Sequence, residues 1–369
     1  MRTSGASRLL LLVTFGSLPA AAVEVGEGRL SINGFGSWAY GASNGNDYEA
    51  ARHTGHFDSG EFALALTSIL SDHAVAAAQL RVAPERGGLF LDWAFGEWRF
   101  SDLIRVRMGL VKHPLGIFGE VPNVGTLRPF FVLPQGIYGQ TEITGSGVEG
   151  VSISGLLLSR SGWEMSYDLY GGSLKLRVQD VISLIADPAS LRPGGTHAVQ
   201  TEETKYIIGG RIVVATPVDG LEVRLSTYGS PARQSDNPRF VIGPSLQYTG
   251  ERFSARAEYF FFYEQHNQRT HTGYVEAACF LTGKLQVGAR AEFYSLDVLQ
   301  VASDTSLSEH REIAATFNYW FDPGLVVKLS FHFVDGNRFA QPMLLDDAIL
   351  SGTLRRSTLA TILGMQFSF

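Results

Sequence analysis

One cysteine, Cys279, stands in the whole chain, so no intramolecular disulfide framework is available to it. Basic residues are not in excess either. With 30 Lys and Arg against 36 Asp and Glu the net charge is −6, which argues against nucleic acid as a partner, because phosphate binding needs a basic surface. Past the N-terminus no window approaches the roughly 18 uninterrupted apolar residues that a membrane helix requires. Catalytic signatures are missing too. There is no H-E-x-x-H pair, no G-x-S-x-G elbow and no phosphate-cradling glycine loop, and the nine histidines are scattered. No cofactor, no metal and no catalytic residue are therefore expected.

What is plentiful is glycine (41) and aromatic residues (24 Phe, 13 Tyr, 5 Trp), a composition that favours strands over helices. The first 22 residues read as a secretory signal peptide: Arg2 and Arg8, then the apolar Leu9–Phe15, then the small residues Ala20-Ala21-Ala22. The expected domains are this signal peptide at 1–22 and a β-barrel at 23–369.

From Arg29 onward apolar residues alternate with polar ones. Leu285, Val287, Ala289, Ala291 and Phe293 interleave with Gln286, Arg290 and Glu292; Leu325, Val327, Leu329, Phe331 and Phe333 interleave with Lys328, Ser330 and His332. A period of two sends one set to each face of a strand. About sixteen such runs occur, from 29–41 to 353–369. Their connections fall into two series, tight ones such as Ser71-Asp72 and Gly250-Glu251, and mostly long ones such as 114–145 and 173–201. This pattern predicts an all-β fold: a transmembrane antiparallel β-barrel of about 16 strands, with short periplasmic turns and long outer loops. An open sheet is excluded in a bilayer because its edge would leave backbone groups unpaired in hydrocarbon. Residues 174–186 leave an alternative of 18 strands.

The chain ends on a further alternating run, Leu359, Thr361, Leu363, Met365, Phe367 and Phe369. A terminal Phe after alternate apolar residues resembles the signal read by the barrel-assembly machinery. Trp38, Tyr40, Trp98, Trp163, Tyr248, Tyr259, Tyr294, Tyr319, Trp320 and Phe321 lie near strand ends, where interfacial aromatic girdles are expected.

The segment Arg105–Tyr138 reads RVRMGLVKHPLGIFGEVPNVGTLRPFFVLPQGIY. Its Gly109, Lys112, Pro114, Gly116, Arg128, Pro129, Leu133, Pro134, Ile137 and Tyr138 resemble the proteobacterial porins related to the phosphate-selective type. The resemblance implies a sixteen-stranded barrel, usually a homotrimer, with this loop folded inward as a constriction. The residues agree with that placement. Four prolines bar a central strand, and Phe118, Phe130, Phe131 and Tyr138 call for burial.

Alternation then lists charges facing the lumen. The expected constriction set is Arg81, Arg105, Arg107, Lys112, Glu120, Arg128 and Glu142. Opposed charges across a narrow passage set a transverse field. Because acids and bases are mixed, strict phosphate selectivity is not expected. The expected function is passive diffusion of small hydrophilic solutes or ions across a bacterial outer membrane, with outer-membrane lipid and the assembly machinery as further partners. The alternatives are a solute-specific channel for phosphate or organic anions, a barrel enzyme, and an adhesin or anchor.

Overall fold

The computed structural model describes residues 23–25, 29–48, 50–57, 60–83, 88–179, 199–204, 206–231, 238–299, 306–340, 349 and 351–369. The predicted signal peptide lies outside them.

Sixteen antiparallel strands close into a barrel. They are β1 (Leu30–Ser43), β2 (Glu61–Ile69), β3 (Ala74–Ala83), β4 (Gly88–Arg99), β5 (Arg105–Val111), β6 (Val148–Arg160), β7 (Trp163–Gln179) and β8 (Ile207–Ala215). The second half is β9 (Leu221–Pro231), β10 (Pro238–Thr249), β11 (Phe253–Glu264), β12 (Gln268–Phe280), β13 (Leu285–Val298), β14 (Glu309–Asp322), β15 (Leu325–Asp335) and β16 (Ser357–Ser368). Each strand pairs with its neighbours in sequence, and β16 pairs back onto β1 from Ala360↔Ser43 to Ser368↔Phe35. No edge remains, so the ladder groups of both terminal strands are satisfied. Three short pieces join the sheet: Val23–Val25 on β1, His56–Phe57 on β1, and Val199–Glu203 on the end of β7. No helix among the described residues is long and apolar enough to cross a membrane.

The 18-strand alternative is not realised. Residues 174–179 do not turn back; they prolong β7, with Val199↔Gln179 and Glu203↔Lys175 in register. Residues 180–186 of that alternative lie outside the described set.

The faces follow the alternation, and they invert the pattern of a water-soluble core. Ile208 and Ile313 are 74% and 68% exposed on the outer wall, whereas Arg290 and Lys328 on the inner wall are at most 2% exposed. Apolar rings and aliphatics thus coat the outside, where hydrocarbon is the matching solvent. Of the predicted girdle residues, Trp320 and Tyr294 are turned the other way: Trp320 donates from Nε1 to the buried Gln286 at 3.3 Å, and Tyr294 follows its strand. Its neighbour Phe293 takes the outer face, so the period of two sends Tyr294 inward, where it is 1% exposed.

The inner wall is not polar throughout. From β7 to β12 it carries an apolar patch, including Tyr170, Tyr228, Phe260, Phe262 and Tyr274. The segment after β5 folds onto that patch. Leu115, Phe118, Leu133, Ile137 and Ile143 bury against it, each contributing about 1.5–3 kcal/mol of transfer free energy. This is why a loop with so many aromatics enters the barrel rather than covering its mouth.

Candidate functional site: the loop inside the barrel

The loop between β5 and β6 runs from Lys112 to Gly147 with two short helical turns, Gly125–Leu127 and Gln135–Tyr138. Its seat centres on Glu258 of β11. Tyr138 Oη donates to Glu258 Oε2 at 2.6 Å and accepts from the N–H groups of Ile117 and Phe118 at 2.9 and 3.0 Å. Glu258 also accepts from Ile117 N, Ser245 Oγ and Tyr274 Oη. Burial, reinforced by the Glu258 carboxylate, pushes the Tyr138 phenol well above its ordinary pKa, so it stays a donor. Gly116 makes the seat possible. Its φ is +60°, and a Cβ would come within 2.4 Å of Tyr138 Oη and 2.5 Å of Glu258 Oε1.

Wall side chains then hold the loop by its carbonyl oxygens. Lys328 Nζ donates to Gly125 O at 2.7 Å and Arg128 O at 2.5 Å; Arg290 donates to Val132 O at 2.9 Å and Asn318 to Pro129 O at 2.8 Å. Arg224 and Arg256 reach Ile117 O and Leu127 O. Arg256 and Arg290 also lie over the Phe118 and Phe130 rings, at 5.3 and 4.6 Å. Several cations that alternation assigns to the lumen are therefore covered by the loop.

At the start of the loop His113 is fully buried. Gly145 N donates to its Nδ1 at 3.3 Å, and Nε2 meets Tyr170 Oη at 3.0 Å. Burial, with the Arg211 charge nearby, depresses its pKa from 6.5 to about 3, so the ring is neutral at physiological pH.

Between the loop and the wall of β1–β4 a cavity of about 220 Å³ remains. Arg81, Lys112 and Arg128 of the expected constriction set line it. Arg81 pairs with Glu61 at 2.5 Å and Asp92 at 3.6 Å; Lys112 pairs with the other oxygen of Asp92 at 2.7 Å. Arg128 directs its guanidinium to the carbonyls of Pro122, Phe130 and Phe131. Arg105, Arg107 and Glu120 lie outside this cavity, and Arg107 stands close enough to Glu120 to act on its charge. Arg107 pairs with Glu97 at 2.6 Å, and Glu120 pairs with Arg211, which also holds Asp168. Burial alone would raise the Glu120 carboxyl; Arg211 and Arg107 outweigh it and hold it below the usual range. Arg105 makes no ion pair with any described residue, and its Nε is buried without a partner. Glu142 does not line the cavity. It is 1% exposed, with Arg338 at 3.1 Å and Tyr294 Oη at 3.3 Å.

Glu61, Glu97, Gln135 and Gln366 also stand at these groups and were not singled out from sequence. Glu61 and Glu97 carry the usual signal, an inward position on an alternating strand. The two glutamines carry none, since an amide is unremarkable on any strand or loop. One cluster has metal-ligand residue types, Glu292, His310 and Glu312, with donor atoms within 4.8 Å of one another. Arg290 stands in it, 2.8 Å from Glu312 and 3.5 Å from Glu292, and supplies the positive charge itself.

No protein-family model and no curated sequence matches the chain. Solved structures do match in shape. OmpF of Salmonella typhi, in complex with daunomycin, aligns at TM-score 0.59 and 11% identity, covering 94% of this chain and 100% of that one. The outer membrane channel DcaP of Acinetobacter baumannii aligns at TM-score 0.57 and 8% identity, covering 92% and 97%. An anion-selective porin from Comamonas acidovorans aligns at TM-score 0.55 and 11% identity, covering 92% and 99%. The fold is thus porin-like.

Proposed function

We propose that this chain is an exported outer-membrane channel for the passive diffusion of small hydrophilic solutes, weakly selective for ions, assembled as a homotrimer and without catalytic activity. The observation that carries the reading is the space of about 220 Å³ left between the inward loop and the wall of β1–β4, inside a barrel whose outer face is apolar. The resemblance of Arg105–Tyr138 to the phosphate-selective group supports a channel but not strict phosphate selectivity, because the acids Glu61, Asp92, Glu97, Glu120 and Asp168 stand beside the cations. A porin fold at low identity supports the trimer, and one such barrel, OmpT of Vibrio cholerae, is described in a trimer form. Cleavage after Ala22 and delivery by the barrel-assembly machinery through Phe369 complete the proposal.

Planar bilayers with purified, refolded protein test it. Stepwise ohmic conductance is expected, with a reversal potential near zero in a salt gradient. Replacing Arg105 and Arg107 by Gln is expected to shift that potential modestly toward cation preference. A strong anion preference abolished by the pair would instead assign an anion-selective ladder. A barrel that never conducts would return the reading to an anchor or an enzyme.

A further inference from the structure

The straps that hold the inward loop come from β8 to β15, through Arg211, Arg224, Arg256, Arg290, Asn318 and Lys328. The cavity lies on the opposite side, against β1–β4. There the lumen face of β4 carries aromatic rings. Phe90 lies across from Arg81, Trp93 from Gln79 and Phe95 from Ala77, all inward positions by the alternation. The register shift beside Asp92 is what lets Trp93 face inward next to it. All three rings are half-buried, so part of each meets the lumen. Trp93 and Phe95 stack at 5.5 Å and 24°, which joins them into one aromatic surface. Phe95 stands between Ala77 and Gly109, so the directly opposed positions put no long side chain over its ring. Aromatic surface left in water favours a partner with an apolar face.

A cation stands at the edge of that surface. The Arg107 guanidinium lies 5.1 Å from the centre of the Phe95 ring. Glu97 takes only its Nε, at 2.6 Å. Among the described residues its two terminal amino groups have no acceptor, and the side chain is 23% exposed, so that edge opens to the lumen. Arg105, two residues along the same face, has no ion pair with any described residue. The acids Glu120 and Asp168 also face this group, and Arg211 engages both. A planar guanidinium with two free amino groups matches a carboxylate bidentately. A flat ring attached to that carboxylate would lie on Trp93 and Phe95. An inorganic anion satisfies only the cation, and a neutral aromatic only the rings.

We propose that Trp93, Phe95 and Arg107 form a subsite on the lumen wall for small aromatic carboxylates crossing the barrel. The proposal rests on the channel reading above and narrows its substrate class.

The test measures ion current through single channels as benzoate, acetate or benzyl alcohol is added. Benzoate is expected to reduce the current in a saturable way, at lower concentration than acetate, which has the charge without the ring, or benzyl alcohol, which has the ring without the charge. Trp93→Leu is expected to raise the half-blocking benzoate concentration about fivefold, the usual weight of one aromatic pair. Phe95→Leu is expected to act in the same direction, and Arg107→Gln to raise it about tenfold, as for a lost hydrogen bond to a charged group. Half-block by acetate or benzyl alcohol at or below the benzoate concentration, or benzoate block indifferent to all three substitutions, overturns the subsite and leaves the channel standing. A barrel that folds and inserts but never conducts overturns both.

Discussion

Gly116 and His113 show how single positions fix the loop. At Gly116 any side chain meets both a left-handed backbone and the Tyr138–Glu258 hydrogen bond. Gly116→Ala is expected to cost about 1–3 kcal/mol and to free the loop, seen as a lower thermal midpoint and noisier, larger conductance. An unchanged trace would mean that the loop is seated elsewhere. His113 gives a pH dependence whose sign is fixed by its depressed pKa. Above pH 6.5 the ring is neutral in both folded and unfolded chains. Below 6.5 the unfolded chain takes up a proton that the folded one refuses until about pH 3. Stability therefore falls as pH falls through that window, by on the order of 1.4 kcal/mol per pH unit. Thermal melts between about pH 7 and pH 4 are expected to show this slope, and His113→Gln to flatten it. Equal slopes in the two proteins would assign the loss to other groups.

The inward loop is an element without a regular ladder, and its carbonyls are satisfied by the wall instead. Lys328 is the main strap. Its ammonium is fully buried and binds two loop carbonyls at 2.5–2.7 Å. Lys328→Met removes the donor, leaves those carbonyls short of a partner, and is expected to destabilise the loop by about 1–3 kcal/mol per lost bond. Protease nicking within 119–131 is expected to rise while the strand ladder, followed by far-ultraviolet circular dichroism, is retained. Loss of the ladder as well would make Lys328 a determinant of the barrel and not of the loop. The residues that resemble the porin group divide in the same way. Gly116, Ile137 and Tyr138 build the seat, Arg128 binds the loop's own carbonyls, and Lys112 pairs with Asp92 at the wall of the cavity. The motif was legible because its glycine, prolines and aromatics build the loop itself; the solute was not, because the cavity is lined by charged, amide and aromatic side chains together.

On the scale of the whole molecule, closure depends on the last strand. Phe369 exchanges both backbone hydrogen bonds with Gly34 at 2.9 Å, and its ring lies 6.2 Å from that of Phe62 on the outer wall. Deleting Phe369 is expected to lower the yield of assembled barrel in cells several-fold, while refolding into detergent in vitro is affected less. An equal loss in both would point to β16–β1 closure and not to recognition during assembly. Strand number, the two faces and the inward loop were present in the sequence itself, because a period of two and the placement of proline and aromatics act locally. Alternation also decided Tyr294, once its neighbour Phe293 was given the outer face. Pairing was another matter. That Arg81 meets Glu61 from β2, that Arg290 and Lys328 hold loop carbonyls some 160 to 200 residues away, and that Glu142 turns to Arg338 were settled only when the ladder closed. A side chain's face is set by its own strand, but its partner is set by register and by what the loop brings across the lumen, and neither is written at the position itself.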